Sequence, residues 1–352
     1  MRGRSWSAAL RAASVALAGA LLVGCASFPR VSEPPRAPSR DGAAFIEGAA
    51  GARLWTAVHA PRTEPWGVVY FVTGPEVGSD EPYPELARAL DAAGIATVAL
   101  HVRGSGFSSG VRGDVEDYAL VLEDLQRGLD HAWDTFPGKR IFLFGHSVGA
   151  AFALHVATHA RTPIAGVVLV NPAYRLRYAE GMGPSFGDYL RFAFDTAFRW
   201  SSITVDMNSN PAAVKDAADR EEGLRMQRDP AVVRYFSMRA MFGERSVIAD
   251  CEKNAAALEV PLLLVQGERD ALVDPSGSDA ILAAARVADK TKLSAPRGAH
   301  GATAVETVVG DLVAWLERHR AAPPAQPLRA RRLGPPQIDG DPVQTAQAPF
   351  AR

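Results

Sequence analysis

Residues 139–160 read KRIFLFGHSVGAAFALHVATHA. An apolar run, Ile141–Phe144, meets Gly145-His146-Ser147-Val148-Gly149, and a small-residue stretch with helical character follows. Gly-x-Ser-x-Gly between a strand and a helix is the setting of a turn that presents its serine as a nucleophile. Reversing the chain so sharply strains the backbone at the serine. Side chains at the flanking positions would collide, so both are glycine. Ala150 and Ala151 let the helix pass close to the sheet. The strand before the motif and the helix after it separate this reading from a tight structural turn with an idle serine.

Upstream, Arg53–His59 and Trp66–Thr73 read as strands around the turn Pro61–Pro65. Val68–Val72 is continuously apolar, as a strand buried on both faces requires. A helical pattern over Glu85–Ala93 stops at Gly94, and Ile95–Leu100 is another buried strand. His101–Gly113 is a glycine- and serine-rich loop, and Asp114–Trp133 has helical periodicity through Val115, Leu122, Leu125 and Leu129. Downstream, Ile164–Val170 reads as a strand. The alternation implies a parallel sheet with helices on both faces. Chemistry in such sheets collects at the carboxyl ends of the strands, where Ser147 lies.

The rhythm breaks after Asn171. Tyr174–Asp250 shows no clear strand and is rich in aromatics, and it is expected to be a mostly helical cap over the carboxyl edge. Some of these aromatics should glue the cap to the body, and others should line an apolar pocket. Alternation resumes with the strand Val260–Gln266, ending at Gly267-Glu268-Arg269-Asp270. Ser276–Ala288 reads as a helix, Thr291–Ala295 as a strand, Pro296–Gly301 as a loop holding His300, and Ala302–Arg320 as a closing helix.

The 352 residues are 47% hydrophobic with a net charge of −1, enough for a large core and without the basic balance of a nucleic-acid binder. Arg2 and Arg4 precede the small apolar stretch Ala8–Val23, and Leu22-Val23-Gly24-Cys25 resembles a bacterial lipobox. That resemblance implies a signal peptide over residues 1–24 and a lipidated, N-terminal Cys25 in the mature protein. The expected location is the cell envelope, lipid-anchored, and the outer membrane in a Gram-negative host, because Ala26 rather than a retention-type Asp follows. With Cys25 lipidated, Cys251 has no disulfide partner and reads as a small buried apolar group. Residues 25–44 read as the lipidated cysteine and a flexible tether, 45–320 as the folded domain, and 321–352 as a disordered tail rich in Pro, Ala, Gln and Arg.

A serine hydroxyl needs a base to take its proton, and the base needs an acid to fix its tautomer. In an elbow fold these follow the serine in the order acid, then histidine. Asp270 lies just past one late strand and His300 in the loop after the next, so Ser147, Asp270 and His300 can converge. Asp274 is the competing acid. His146 is expected to pack under the turn. His155 and His159, four residues apart on the elbow helix, have metal-ligand spacing without a third ligand in view. No metal or cofactor is expected.

Gly-His-Ser-Val-Gly, Gln-Gly-Glu-Arg-Asp-Ala-Leu-Val-Asp-Pro and Gly-Ala-His together resemble the α/β-hydrolase superfamily. Within it the chain is most similar to the monoacylglycerol lipase, lysophospholipase and serine aminopeptidase-like group, over about residues 45–320. The block His101-Val102-Arg103-Gly104-Ser105-Gly106-Phe107-Ser108 matches that group's Asp-x-Arg-Gly-x-Gly-x-Ser loop, with His101 in place of Asp. The resemblance implies an α/β-hydrolase fold with a helical cap, and hydrolysis of carboxylic esters, lipid-like ones above all. In the group, His-Gly-x supplies an oxyanion-hole N–H from its third residue. Here the match is Thr73-Gly74-Pro75, and proline has no N–H. The expected hole is therefore the Val148 N–H with a donor from Gly74, Glu76 or the Thr73 hydroxyl. An aminopeptidase would need a carboxylate for the substrate amine, with Glu180, Asp188 and Asp195 as candidates. An acyltransferase and a non-catalytic lipid-binding lipoprotein are the remaining alternatives.

Overall fold

A computed structural model describes residues 34–74, 83–177, 186–206 and 216–321. One sheet has eight strands in the order β1-β2-β4-β3-β5-β6-β9-β10. These are β1 (Ala43–Glu47), β2 (Arg53–His59), β3 (Gly67–Val72), β4 (Ile95–Leu100), β5 (Arg140–His146), β6 (Gly166–Val170), β9 (Leu262–Gly267) and β10 (Lys290–Ala295). The β1–β2 and β2–β4 pairs are antiparallel and the rest are parallel. Strands β7 (Ile203–Asp206) and β8 (Tyr235–Ser237) form a separate antiparallel pair.

Side-chain alternation divides the core into two layers. Val68, Tyr70 and Val72 of β3 face one side with Leu143, Leu169 and Leu264. Helices α2 (Tyr118–Thr135) and α3 (Val148–His159) cover that side through Leu125, Leu129, Phe152 and Leu154. Val69 and Phe71 face the other with Phe142, Phe144, Val168 and Leu263. There α1 (Pro84–Ala92) supplies Leu86 and Leu90. Every residue of β3, β4, β6 and β9 is buried, as the continuous apolar runs imply. Gly94 ends α1 by adopting φ +72°, open to glycine at little steric cost.

Register brings the site to one edge. Val72 pairs with Gly145, His146 with Val170, and Gly267 with Ala295. The segments that follow β3, β5, β6, β9 and β10 therefore leave the sheet at the same edge. These carry Thr73–Gly74, Ser147, Asn171, Asp270 and His300.

Several elements differ from the sequence reading. The cap contains α4 (Phe186–Phe198), α5 (Ala217–Arg228) and α6 (Met238–Ala249), but also the β7–β8 pair. Strands of four and three residues, paired across about thirty positions, leave no local period to read. Helix α7 (Cys251–Ala257) then leads back to the sheet. Strand β1 begins at Ala43, inside the stretch read as tether. Helix α2 starts at Tyr118 because Asp117 caps it, accepting from the Ala119 N–H at 2.8 Å, while Asp114 is engaged by Ser237 and Arg239 of the cap. Helix α8 (Pro275–Ala284) is capped by Asp274. The closing helix is two, α9 (Ala302–Thr307) and α10 (Val309–Arg318), broken where Val308 leaves helical geometry in a β-branched run. The signal segment, Cys25, Pro75, Glu76, Glu180 and residues 322–352 lie outside the described residues.

Candidate active site

Ser147 sits at φ 55°, ψ −121°, a conformation that non-glycine residues rarely adopt. The turn is held from both sides. The Ser147 N–H donates to the Val170 carbonyl at 3.0 Å, and its own carbonyl accepts from Ala150 and Ala173, each at 3.1 Å. A Cβ on Gly145 would overlap the Gly149 carbonyl oxygen and lie 2.7 Å from the Ala150 Cα. A Cβ on Gly149 would overlap the Val72 carbonyl oxygen and lie 3.2 Å from the Gly74 amide nitrogen. Gly145 thus lets α3 fold back onto its own strand, and Gly149 lets the elbow press against the end of β3, which brings the Gly74 amide beside it. Val148 opens α3, so its N–H belongs to a turn without intrahelical acceptors.

Three residues distant in sequence meet here. His300 Nε2 lies 3.0 Å from Ser147 Oγ, and His300 Nδ1 lies 2.8 Å from Asp270 Oδ2. An acceptor at Nδ1 fixes the proton on that nitrogen and leaves Nε2 to accept from the serine hydroxyl. The Asp270 side chain is fully buried, and its other oxygen accepts from the Leu272 and Val273 N–H groups at 2.8 and 2.9 Å. Burial alone would raise this carboxyl. The hydrogen bond and charge of His300, with the two backbone donors, outweigh it and hold the carboxyl below its ordinary value. Asp274 is occupied at the α8 N-terminus, 2.8 Å from the Ser276 N–H, while the ring meets Asp270.

The His300 loop is pinned by groups that sequence reasoning missed. Asn171, fully buried at φ 41°, donates from Nδ2 to the Ala299 and His300 carbonyls at 3.0 and 2.9 Å. Its Oδ1 accepts from the Gly267 N–H at 2.7 Å, so one side chain ties the end of β9, which leads to Asp270, to the His300 loop. An asparagine directly after a buried parallel strand was the available signal, since asparagine tolerates left-handed backbone. His146 packs under the turn as expected, and its Nε2 donates to the His300 carbonyl at 2.6 Å. Burial first, then the neighbouring His300, pushes the His146 pKa down to about 3, so the ring stays neutral and can donate. From the cap, Asp219 in α5 accepts from the His300 N–H at 3.1 Å and the Gly301 N–H at 3.0 Å. Burial raises the Asp219 carboxyl above its ordinary value, opposed by these two donors. Nothing distinguishes Asp219 in the acidic run 216–222.

Of the remaining candidates, Thr73 and Asp195 are occupied elsewhere. The Thr73 hydroxyl donates to the Leu100 carbonyl at 2.9 Å, so it is spent below the site and is no oxyanion donor. Asp195 is buried among cap groups, accepting from Thr204 at 3.1 Å and facing Arg191 and Arg199, which removes it as a seat for a substrate amine. His101 is fully buried, with Nδ1 accepting from the Phe107 N–H at 3.2 Å, a loop-building role. His155 and His159 stack ring on ring at 4.2 Å, and no cluster of three metal-ligating side chains occurs among the described residues. Cys251 is buried and its thiol is pushed up to about 12 by that burial. A small apolar pocket bounded by Phe71, Gly74, Tyr83, Phe144 and His146 opens beside the elbow.

The chain is similar to several known proteins. Mouse monoglyceride lipase is 26% identical over 269 residues, covering 75% of this chain and 86% of that protein. Monoacylglycerol lipase of Mycolicibacterium smegmatis is 27% identical over 233 residues, covering 66% of this chain and 80% of the relative. Among solved structures, a soluble variant of Saccharomyces cerevisiae monoglyceride lipase superposes with a TM-score of 0.65 at 21% identity, over 81% of this chain and 98% of the other. The Paleococcus ferrophilus monoacylglycerol lipase superposes at 0.57 with 25% identity, over 76% and 99%. The family model Hydrolase_4, serine aminopeptidase S33, matches residues 63–308. That match spans well over half of a chain with this sheet order and elbow, so the protein belongs to the serine aminopeptidase S33 family and is a serine hydrolase of the α/β-hydrolase fold.

Proposed function

We propose that the chain hydrolyses carboxylic esters of lipid-like acids, monoacylglycerols or lysophospholipids, through Ser147, His300 and Asp270. The observation that carries this reading is the unbroken hydrogen-bonded line from Asp270 through His300 to a serine in strained backbone geometry. His300 Nε2 takes the proton as Ser147 Oγ attacks the acyl carbonyl, and Asp270 holds the ring in the required tautomer and stabilises the imidazolium. The Val148 N–H, with one from Gly74 or Glu76, receives the developing oxyanion. His300 then gives its proton to the departing alcohol, leaving an acyl-enzyme. A water, deprotonated by the same nitrogen, adds to the acyl carbon, and the Ser147 oxygen leaves by taking that proton from His300, which releases the acid.

A lipid-like substrate is supported by relatives named monoglyceride lipases and by the row Leu190, Phe194 and Phe198, spaced four residues apart and exposed on α4. Lipidation at Cys25 would hold the domain at a membrane, since two or three acyl chains, at about 0.8 kcal/mol per buried methylene, give firm anchoring. Mass spectrometry of the mature N-terminus in the native host checks the anchor, and an unmodified Cys25 contradicts it. For the substrate class, kcat/KM on short- and long-chain p-nitrophenyl esters, monoacylglycerols, lysophospholipids and aminoacyl amides should favour the lipid esters. A preference for the amides would replace this reading with an aminopeptidase.

A further inference from the structure

The His300 loop is held from two directions. Its carbonyl groups are held by the body: Asn171 and His146 donate to the carbonyls of Ala299 and His300. Its N–H groups at His300 and Gly301 are held by the cap, through both oxygens of Asp219. Asp219 is 8% exposed and sits in the first turn of α5. The residue just before that turn makes a second contact one residue from the acid: Asp216 Oδ2 meets the Arg269 guanidinium at 2.5 Å, and Asp216 Oδ1 accepts from the Asp219 N–H at 3.3 Å. The start of one cap helix therefore touches the loops that carry both His300 and Asp270.

We propose that Asp219 is a positioning residue: by clamping the His300 and Gly301 N–H groups, it makes seating of the cap a condition for the base to stand in line with Ser147. The proposal rests on the hydrolase reading above and adds to it a coupling between cap and catalysis. Two charge-assisted hydrogen bonds fix the backbone at the residue whose ring must meet Ser147 at one end and Asp270 at the other. Without them the ring keeps its body anchors and loses the restraint on its own amide. A displacement of about 1 Å at a reacting group can reduce rate on the order of a hundredfold.

The test uses the full chain with D219A and D219N, the asparagine keeping shape and one acceptor oxygen. Turnover of p-nitrophenyl butyrate should fall about 10- to 100-fold in kcat for D219A, with KM within about twofold, and D219N should fall between it and wild type. Hydrogen exchange of the peptide containing His300 and Gly301 should quicken roughly tenfold in D219A. A variant that raises KM with kcat intact would make Asp219 an attachment of the cap and overturn the proposal. So would unchanged exchange at residues 300 and 301. The exchange readout does not depend on turnover. An inactive wild type would sink the hydrolase reading, while exchange alone would still decide for or against the clamp.

Discussion

Phe142 and Phe144 in β5 are 0% and 2% exposed, whereas Phe198 and Leu190 on the cap helix α4 keep 76% and 57% of their surface open. The body is a sheet sealed between two apolar layers. The cap holds its own shape with ion pairs as well as ring contacts: Arg191 and Arg199 flank Asp195, Arg234 grips Asp206, and Phe192 and Trp200 meet Phe242. It is fastened to the body both ways, with Val233, Phe236, Ala240 and Val247 buried in the apolar layer. Arg112, 7% exposed, donates to the carbonyls of Pro230, Ala231 and Val232, and Asp114 receives Ser237 and Arg239. Close packing resists displacement, while the partly exposed ion pairs within the cap, such as Arg234 with Asp206, are weak and screened by salt. The body is thus suited to hold three side chains in line, and the cap to hold them conditionally.

The largest effect expected belongs to the body. Asp270→Asn leaves the packing intact but offers His300 Nδ1 the wrong partner, and kcat should fall about 10⁴-fold on a soluble ester. A fall of less than about tenfold would mean that another group orients the ring. Stability should divide along the same line. Phe144→Ala empties a site between packed aromatics and should lower the unfolding free energy by about 3–5 kcal/mol, while Phe198→Ser on the cap should stay within about 0.5 kcal/mol. Equal losses, measured by urea unfolding, would erase the distinction.

A smaller effect is pH-dependent. His146 is neutral in the fold down to about 3, against 6.5 for an ordinary histidine. Below 6.5 the unfolded chain takes up a proton that the folded chain refuses, so stability falls as pH drops, by up to about 1.4 kcal/mol per pH unit over that window. His155, also pushed down to about 3 by burial, adds its own share. His146→Gln keeps an N–H for the His300 carbonyl and should make the slope of stability against pH shallower by one proton. An unchanged slope would mean that the ring titrates freely.

The body could be read from sequence because each of its signals is local. Val68–Val72 announces a two-sided strand, and Gly145 and Gly149 announce a turn that admits no side chain. Asp270 and His300 each follow a strand, and register converts that into proximity. The cap carries no such period. Its two strands pair across about thirty residues, and Asp219 differs from the acids around it only by what the fold brings to it. The motif puts His146 beneath the turn, but its bond to the His300 carbonyl depends on a loop 154 residues away. The Thr73 hydroxyl is spent on the Leu100 carbonyl, a partner 27 residues on in the neighbouring strand.

The central claim is that Ser147 is a nucleophile activated by His300. Treating the folded protein with a fluorophosphonate and locating the adduct by peptide mass spectrometry tests it most directly. The account predicts a single adduct on Ser147, absent from Ser147→Ala and formed far more slowly in His300→Ala. A folded wild-type protein that takes no label, or carries it on another residue, would contradict it.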